Sequence, residues 1–280
     1  RRAVSATPHP LDLNVELVEQ LLVRFLRIEA RKFGFQRAIL GLSGGIDSAV
    51  SAALAARAYG PEQVLGVMMP YRTSSPASEG DARTVATALG IRLDKTDISA
   101  LADGYLSGLP DADRLRRGNV MARCRMIVLY DRSVPERALV IGTSNKTELL
   151  LGYSTQFGDA ACALNPLGDL YKHQVWQLAR HLGLPSEVID KLPTADLFEG
   201  QTDEGELGFS YAEADGILHA LVDERRSVEE VVQLGWSRTL VERIVTRMAA
   251  NQYKRQPPLV AKLGERTVTH DFRYLRDWGR

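Results

Sequence analysis

The sequence predicts an α/β protein, a doubly wound parallel sheet followed by a helical C-terminal part. Short apolar runs alternate with helical patterns up to about residue 165, after which only helical patterns remain. A glycine-rich turn directly follows the first apolar run. Ligands of parallel α/β sheets bind beyond the carboxyl ends of the strands, so this turn is the first candidate for a functional site.

A helical pattern opens the chain, with apolar residues spaced from Val15 to Phe25 and a C-cap glycine at Gly34. Four short apolar runs then predict strands: RAILGLS at 37–43, VLGVMMP at 64–70, IRLDKTDI at 91–98 and ALVIGTS at 138–144. Three helical patterns separate them: IDSAVSAALAARAYG at 46–60, EGDARTVATALG at 79–90 and VMARCRMIVLYDRS at 120–133. Strands and helices in this alternation form a parallel sheet covered on both faces.

The C-terminal part is predicted to be helical. Its helical patterns are HQVWQLARHLG at 173–183, YAEADGILHALVDE at 211–224, SVEEVVQLG at 227–235 and RTLVERIVTRMAANQYKR at 238–255. Between them, PTADLFEGQTDEGELGFS at 193–210 is polar and acidic and is predicted as a long loop, a kind of segment that is often functional. We expect a single domain over residues 1–280, with an α/β core at about 36–165, a helical part at about 166–260 and a tail at 261–280.

The composition argues against several functional classes. The 280 residues include 35 basic and 35 acidic side chains, a balance unlike that of a general nucleic-acid binder. No apolar stretch is as long as a membrane span, and the first ten residues lack the apolar run of a secretory signal. Cys124 and Cys162 form no CxxC pair, so neither a disulfide framework nor a zinc site is indicated. We therefore expect a cytoplasmic protein with no nucleic-acid and no membrane partner.

The turn after the first strand has the sequence SGGIDS at 43–48 and leads straight into a helix. Gly44 and Gly45 would let a pyrophosphate lie against the main chain, where the N–H groups and the dipole of the helix favour an anion. No lysine follows the last glycine, so the turn is not a Walker A loop. Asp47 beside bound phosphates implies a divalent cation, Mg²⁺. The alternative is a tight turn with a structural role only.

SGGxDS is the signature of the ATP pyrophosphatase group, or PP-loop group, which cleaves ATP between the α and β phosphates. Further blocks of the chain together resemble the NAD synthetase family, in the order in which that family carries them. They are GNVMARCRM at 118–126, VIGTSNKTELLLGYSTQFGD at 140–159, NPLGDLYKHQV at 165–175, PTADLFEGQTDEGELGFSY at 193–211 and YKRQPP at 253–258. The resemblance extends from about residue 15 to 260.

The resemblance implies a ligase that catalyses the last step of NAD biosynthesis. The nicotinate carboxylate of deamido-NAD would attack the α-phosphate of ATP, giving an adenylate and pyrophosphate, and ammonia would then displace AMP to give NAD. ATP, deamido-NAD and ammonia are the implied small-molecule partners, with Mg²⁺ as the cofactor. Such a reaction needs no protein nucleophile and depends on positioning and charge neutralisation.

The resemblance also implies site residues. Those implied to bind ATP are Gly41, Leu42, Ser43, Gly44, Gly45, Ile46, Asp47, Ser48, Thr143, Lys172 and Thr194. Asp47 and Glu148 would bind Mg²⁺, although Glu148 could instead be a solvated acid on a helix face. Asp47 and Lys172 would be catalytic, with Lys172 neutralising phosphate charge as pyrophosphate forms.

The residues implied to bind deamido-NAD are Arg123, Lys254 and Arg255. The last two could instead form the solvated basic end of a helix, and Arg125 is expected to face away from the site. Many family members carry TKYGDGG.D where this chain has TQFGDAACA at 155–163. The resemblance therefore does not indicate which residues bind the nicotinate end of deamido-NAD.

The nitrogen donor and the assembly are expectations of the same kind. Glutamine-using family members carry an amidohydrolase domain ahead of the ATP loop, whereas only about 40 residues precede it here. Free ammonia is therefore the expected donor, with a separate glutaminase subunit left possible. A homodimer is expected, with the N-terminal helix and the helix near 118–131 at its interface. The alternatives are another PP-loop ligase or tRNA-modifying enzyme, and a catalytically silent nucleotide-binding module.

Overall fold

The computed structural model has one sheet of four parallel strands in the order β3-β2-β1-β4. The strands are β1 (Arg37–Gly41), β2 (Val64–Met68), β3 (Arg92–Lys95) and β4 (Ala138–Val140). Each lies within one of the four apolar runs, which confirms the predicted fold class. The structure describes residues 9–198, 200–268 and 271–272; residues 1–8 and, in the predicted tail, 269–270 and 273–280 lie outside the described residues.

The strand order places a topological switch between β1 and β4. The chain runs outward from β1 through β2 to β3 and returns to the other side of β1 for β4. In the register, Ala38 pairs with both Val64 and Leu139. The loops after β1 and β4 therefore leave the sheet side by side, which is where ligand crevices form in such sheets.

Helices surround the sheet in the described part of the chain. They are α1 (Val15–Lys32), α2 (Ile46–Tyr59), α3 (Pro76–Leu89), α4 (Ser99–Leu106), α5 (Arg114–Glu136), α6 (Lys146–Leu151), α7 (Lys172–His181), α8 (Ser186–Ile189), α9 (Asp203–Leu207), α10 (Tyr211–Leu218), α11 (Val228–Gln233) and α12 (Arg238–Ala250). A π-helical turn at His219–Asp223 follows α10, and 3-10 turns occupy Pro61–Gln63 and Gln252–Arg255. Among the described residues, none of these helices is long and apolar enough to cross a membrane.

Strands β1, β2 and β4 are mostly apolar because both faces of the sheet are buried there, whereas the edge strand β3 (RLDK) has no buried residue. Leu40 of β1 packs into the cluster formed with α1, α2, α3 and α7, whereas Ile39 packs on the other face with Leu129 of α5. Helix α2 is itself buried on nearly every side, since its alanines and serines let α1, α3 and α7 approach closely. The SGGIDS sequence at 43–48 thus leads into a helix that is buried on nearly every side.

A second core holds the C-terminal helices together. Fully buried Leu151 of α6, Ile217 of α10 and Ile244 of α12 belong to it. Helix α7 joins this core to the first one, because Val175 packs with α2 while Trp176 contacts both clusters. The division near residue 165 stays a prediction: α6 belongs to the second core although it precedes that residue, and α7 packs against both cores.

The prediction of a loop over 193–210 is wrong for its second half, which contains α9. Thr202 caps this helix by accepting a hydrogen bond from the backbone N–H of Gly205 at 3.3 Å, and Leu207 at its end is fully buried. A helix of five residues is too short to show an apolar repeat in the sequence. The segment is therefore anchored into the second core rather than solvated.

Candidate functional site

A cavity of about 820 Å³ lies beyond the carboxyl ends of β1 and β4. It brings together most of the residues that the sequence singled out: Gly41, Leu42, Ser43, Gly45, Ile46, Asp47, Ser48, Arg123, Thr143, Glu148, Lys172, Thr194 and Lys254. Of the expected residues, Gly44 and Arg255 do not line it. Gly44 lies against Ser78 of α3, and the side chain of Arg255 donates to backbone oxygens, as described below.

The SGGIDS turn is held by its own serines. Ser48 Oγ accepts a hydrogen bond from Ser43 N at 3.2 Å and donates one to Gly45 O at 2.9 Å. Gly44 has a φ of 78°, and a Cβ there would lie 2.3 Å from Ser78 O of α3. Only glycine fits that position, so the turn is pressed against α3 while the first turn of α2 faces the cavity.

A buried ammonium group lies at the centre of the site. The side chain of Lys172 is 1% exposed, and its Nζ lies 2.5 Å from Asp47 Oδ2 and 3.7 Å from Glu148 Oε1. The ring of Tyr211 packs against it, with the Nζ 4.9 Å from the ring centre. Burial alone lowers the pKa of Lys172, but the two carboxylates outweigh this and raise the pKa above its ordinary value. The amine is therefore held as a cation.

Asn145 fixes both carboxylates, and the sequence analysis missed it. Its Nδ2 donates to Asp47 Oδ1 at 2.9 Å, and its Oδ1 accepts from the backbone N–H of Glu148 at 3.0 Å. The backbone N–H of Asn145 donates in turn to Glu148 Oε2 at 3.2 Å, which completes a capping box at the start of α6. The spacing of Asn145 and Glu148 in NKTE is the one signal that could have indicated this role.

Glu148 faces inward, unlike a solvated helix-face acid. Its side chain is 15% exposed, and burial, with a smaller contribution from Asp47, raises its pKa above the ordinary value, while the charge of Lys172 opposes the rise. The oxygens of Asp47 and Glu148 flank one ammonium group and each keeps an unused lone pair. Mg²⁺ takes one or two carboxylates and completes its sphere with phosphate oxygens and water, so this donor set fits a magnesium ion bound together with a nucleotide.

A third carboxylate approaches the same lysine from α9. Asp203 is 5% exposed and accepts hydrogen bonds from the hydroxyls of Tyr211 at 3.0 Å and Tyr153 at 3.1 Å. Burial raises the pKa of Asp203, while the charge of Lys172 opposes the rise. The sequence analysis missed this residue because it placed the segment in a loop. The centre therefore carries more carboxylates than cations, which favours a bound metal ion.

Two arginines of α5 also line the cavity. Arg123 is exposed, and its Nη2 donates to the backbone oxygen of Gln156 at 3.3 Å. Arg125 is half-buried and its Nε donates to Met69 O at 3.0 Å. Arg125 is expected from its spacing to point elsewhere and to be structural; in the fold it lines the cavity together with Arg123, while its bond to Met69 O agrees with a structural role.

The two basic residues that follow α12, Lys254 and Arg255, make different contacts. Lys254 lines the cavity, and its Nζ donates to Gly152 O at 2.7 Å and Ser154 O at 2.8 Å. The guanidinium of Arg255 instead donates to the backbone oxygens at the ends of two helices, among them Leu149 at 3.0 Å and Met248 at 2.6 Å. Arg255 thus caps α6 and α12, which holds Lys254 at the cavity wall.

The segment carrying Thr194 forms the rim over the phosphate loop. Thr194 Oγ1 accepts from Asp196 N at 3.1 Å, and the Asp196 carboxylate accepts from the backbone N–H of Ser75 at 3.2 Å. Lys191 Nζ lies 2.6 Å from Asp81 Oδ2 of α3. These contacts join the rim to the N-terminal half of α3, and the backbone N–H of Asp203 in α9 donates to Pro193 O at 3.1 Å, so the segment with Thr194 is held by both α3 and α9.

Comparisons with known proteins agree with this geometry. Residues 18–258 match the family model described as NAD synthase. The NH(3)-dependent NAD(+) synthetase of Chlorobium phaeobacteroides (strain BS1) is 53% identical over 268 residues, which cover 96% of this chain and 97% of that protein. The enzyme of the same description from Fusobacterium nucleatum is 53% identical over 253 residues, or 90% of this chain and 98% of the relative.

Solved structures give the same picture. The NMN synthetase from Francisella tularensis superposes with a TM-score of 0.80 at 32% identity, over 90% of this chain and 100% of that chain. The NH3-dependent NAD synthetase from Campylobacter jejuni, solved with a nitrate ion, has a TM-score of 0.77 at 33% identity with the same coverage. Both likenesses extend over the sheet and the C-terminal helices alike.

The bond from Asn145 to Asp47 predicts a specific loss of stability. Asn145→Asp keeps an oxygen for the helix cap but replaces the donor to Asp47 with a second carboxylate, so the free energy of unfolding should fall by about 2 kcal/mol or more. Asn14→Asp is the matched control, because Asn14 caps α1 in the same way at an exposed end, accepting from Leu17 N at 3.0 Å. Urea unfolding at neutral pH should show the control within about 0.5 kcal/mol of wild type. Equal losses in both variants would mean that the bond to Asp47 contributes nothing.

Proposed function

This chain belongs to the NAD synthase family, and we propose that it is a ligase that amidates the nicotinate carboxylate of deamido-NAD with ammonia, using ATP. The products are NAD, AMP and pyrophosphate. The family match and the relatives confirm the resemblance that the sequence motifs indicated. The observation that carries the proposed mechanism is the Asp47–Lys172–Glu148 cluster beside a phosphate loop at the topological switch of the sheet.

The chemistry starts from a carboxylate, which ammonia does not attack because oxide is a poor leaving group. An oxygen of the nicotinate carboxylate attacks the α-phosphorus of ATP, the bond to the β-phosphate oxygen breaks, and pyrophosphate leaves. Ammonia then adds to the carbonyl carbon of the adenylate, the bond to AMP breaks, and a proton passes to solvent. No covalent bond to the protein forms, so the residues act by binding, orientation and charge.

Lys172 is proposed to neutralise the negative charge that develops as pyrophosphate forms. Its ammonium is already held in place by Asp47 and by the ring of Tyr211 before a phosphate approaches. Asp47 and Glu148 are proposed to hold Mg²⁺, which would supply further neutralisation of the triphosphate. The N–H groups at the start of α2, with Thr143 and Thr194 across the cavity, are proposed to bind the rest of ATP.

The deamido-NAD contacts are proposed at the other end of the cavity. Arg123 suits a pyrophosphate because a guanidinium binds phosphate oxygens in a fork. Lys254 is proposed to contact the same substrate, since it lines the cavity and its ammonium is held there by the backbone oxygens of Gly152 and Ser154. Arg255 is proposed not to contact deamido-NAD itself. Its helix-capping contacts support the role of holding Lys254 in position. The free thiols of Cys124 and Cys162 agree with a reducing compartment, and we propose the cytoplasm.

The homodimer is proposed to form through α1. Its apolar side chains Leu17, Leu21, Phe25 and Ile28 recur at helical spacing and are 38 to 55% exposed. On α5, Ile127 and Tyr130 are exposed as well. An apolar stripe of this length on a surface helix is typical of an interface. Sedimentation velocity of the purified chain measures the oligomeric state directly.

The reaction itself is the first expectation for purified protein. With Mg²⁺, ATP, deamido-NAD and ammonium, NAD, AMP and pyrophosphate should form in equal amounts, as followed by chromatography. Nicotinate mononucleotide is the second substrate to assay, because the Francisella tularensis neighbour is an NMN synthetase. A higher kcat/KM for the mononucleotide would replace the proposed substrate, and release of ADP and phosphate would overturn the mechanism.

The role of Glu148 as a metal ligand can be separated from its role in the helix cap. Glu148→Gln removes the charge and should lower kcat by about 100-fold or more, with a raised requirement for Mg²⁺. Glu213→Gln is the matched control, because Glu213 holds the same position in the capping box of α10. The control should keep full activity with a similar small change in stability. Near wild-type turnover in Glu148→Gln would leave only the capping role.

Arg123→Ala tests which substrate the exposed arginine binds. Its KM for deamido-NAD should rise about tenfold or more while the KM for ATP changes little, because the side chain is proposed to contact only one of them. Arg116→Ala on the same helix is the control, since Arg116 is exposed and does not line the cavity. Equal rises in both KM values would assign Arg123 to the support of α5 instead.

A further inference from the structure

We propose that His9, Asp12 and His173 form a binding site for a divalent transition-metal ion of the Zn²⁺ type, outside the catalytic cavity. One ligand atom from each of the three side chains lies within 4.8 Å of the other two. None of the three residues lines the cavity. The site is therefore separate from the carboxylates that are proposed to hold Mg²⁺.

The donor set selects the class of ion. Two imidazoles and one carboxylate suit Zn²⁺ and its first-row neighbours, whereas Mg²⁺ prefers oxygen ligands only. Three protein ligands leave at least one position for water. The ring nitrogens of His9 and His173 thus distinguish this site from the all-oxygen donor set of Asp47 and Glu148, and the two sites should bind different ions.

Two of the ligands are held in one tight turn. The backbone N–H of Asp12 donates to His9 O at 2.8 Å, and the backbone N–H of His9 donates to Asp12 Oδ2 at 2.8 Å. The backbone N–H of Leu11 donates to Nδ1 of His9 at 3.2 Å. Nδ1 is therefore occupied as an acceptor, which leaves Nε2 of His9 as the ring nitrogen for a metal ion.

This turn is locked onto α7, which supplies the third ligand. Leu11 is 3% exposed and packs in the second core. Gln177 binds the same segment through two hydrogen bonds. Its Nε2 donates to Leu11 O at 3.0 Å, and its Oε1 accepts from Leu13 N at 2.9 Å. The three donors therefore need little ordering when an ion binds, and a preorganised site binds more tightly for that reason.

The ring of His173 is available as a ligand. Its backbone N–H is fixed by a 2.8 Å bond to Asp215 Oδ2, while no hydrogen bond engages its ring among the described residues. The ring centres of His173 and His9 are 5.1 Å apart and tilted by 42°, so the rings are neighbours without being stacked. Burial lowers the pKa of His173, which favours the neutral imidazole that binds metals.

An ion at this site would join two parts of the chain. Residues 9–12 precede α1, whereas His173 is the second residue of the helix that begins with Lys172. Binding is therefore expected to stabilise the folded protein, because the ion binds the folded form and not the separated ligands. The proposal does not depend on the proposed reaction, and its test does not measure activity.

The test is a titration of the untagged full chain with Zn²⁺ in the presence of excess Mg²⁺, followed by calorimetry and by the thermal unfolding midpoint. One Zn²⁺ per chain should bind, and saturating Zn²⁺ should raise the midpoint. His9→Ala and His173→Ala should each weaken binding by about tenfold or more and abolish the rise. The matched control is His181→Ala, on the same helix as His173, which should bind Zn²⁺ as wild type does.

Co²⁺ serves as an optical probe of the same site, because its absorption spectrum reports coordination by nitrogen ligands. Wild type and His181→Ala should give the same visible bands, and the other two variants should not. Thermal unfolding without metal checks that every variant is folded. The proposal is overturned if Zn²⁺ does not bind at one ion per chain, if binding survives in both His9→Ala and His173→Ala, or if His181→Ala weakens it equally.

Discussion

The site depends on one constraint: the ammonium of Lys172 is removed from water and must be surrounded by negative charge. A cation that is 1% exposed is stable only with close, well-aligned partners, and here these are Asp47 from the turn after β1 and Glu148 from the helix after β4. The backbone N–H of Lys172 also donates to Thr147 Oγ1 at 3.0 Å. Two loops of the switch point and the first turn of α7 are therefore held in one arrangement by a single charged group.

The same constraint explains why the cluster can serve a reaction on phosphates. Under the proposed function, the carboxylates that stabilise the lysine in the free protein would also bind the magnesium ion, so an incoming metal–nucleotide complex would exchange partners with them. Lys172 would then face phosphate oxygens in place of Asp47, and charge would stay balanced at each stage. Asn145 keeps Asp47 and Glu148 in position in either arrangement, because it bonds one through its side chain and the other through the helix cap.

The parts of the fold that the sequence predicted are those determined by local pattern. The four strands and the SGGIDS turn follow from apolar runs and glycines that lie next to each other. Asn145 could not be assigned in this way, because its partner Asp47 is 98 residues away. Lys254 and Arg255 look alike in the sequence, yet one faces the cavity and the other caps helix ends. Such differences depend on which backbone oxygens the fold brings near, which no local pattern records.

Helix α2 lies under the phosphate loop and has almost no free side. Its buried positions run from Ser48 to Ala56 without a break, filled by residues that are mostly alanine or serine. A methyl group added there would have to be matched by volume removed from α1, α3 or α7. Substitutions along this helix are therefore expected to be accepted only together with compensating substitutions in the helices that pack against it. A chimaera that takes α2 alone from a distant relative would displace the SGGIDS turn at its start.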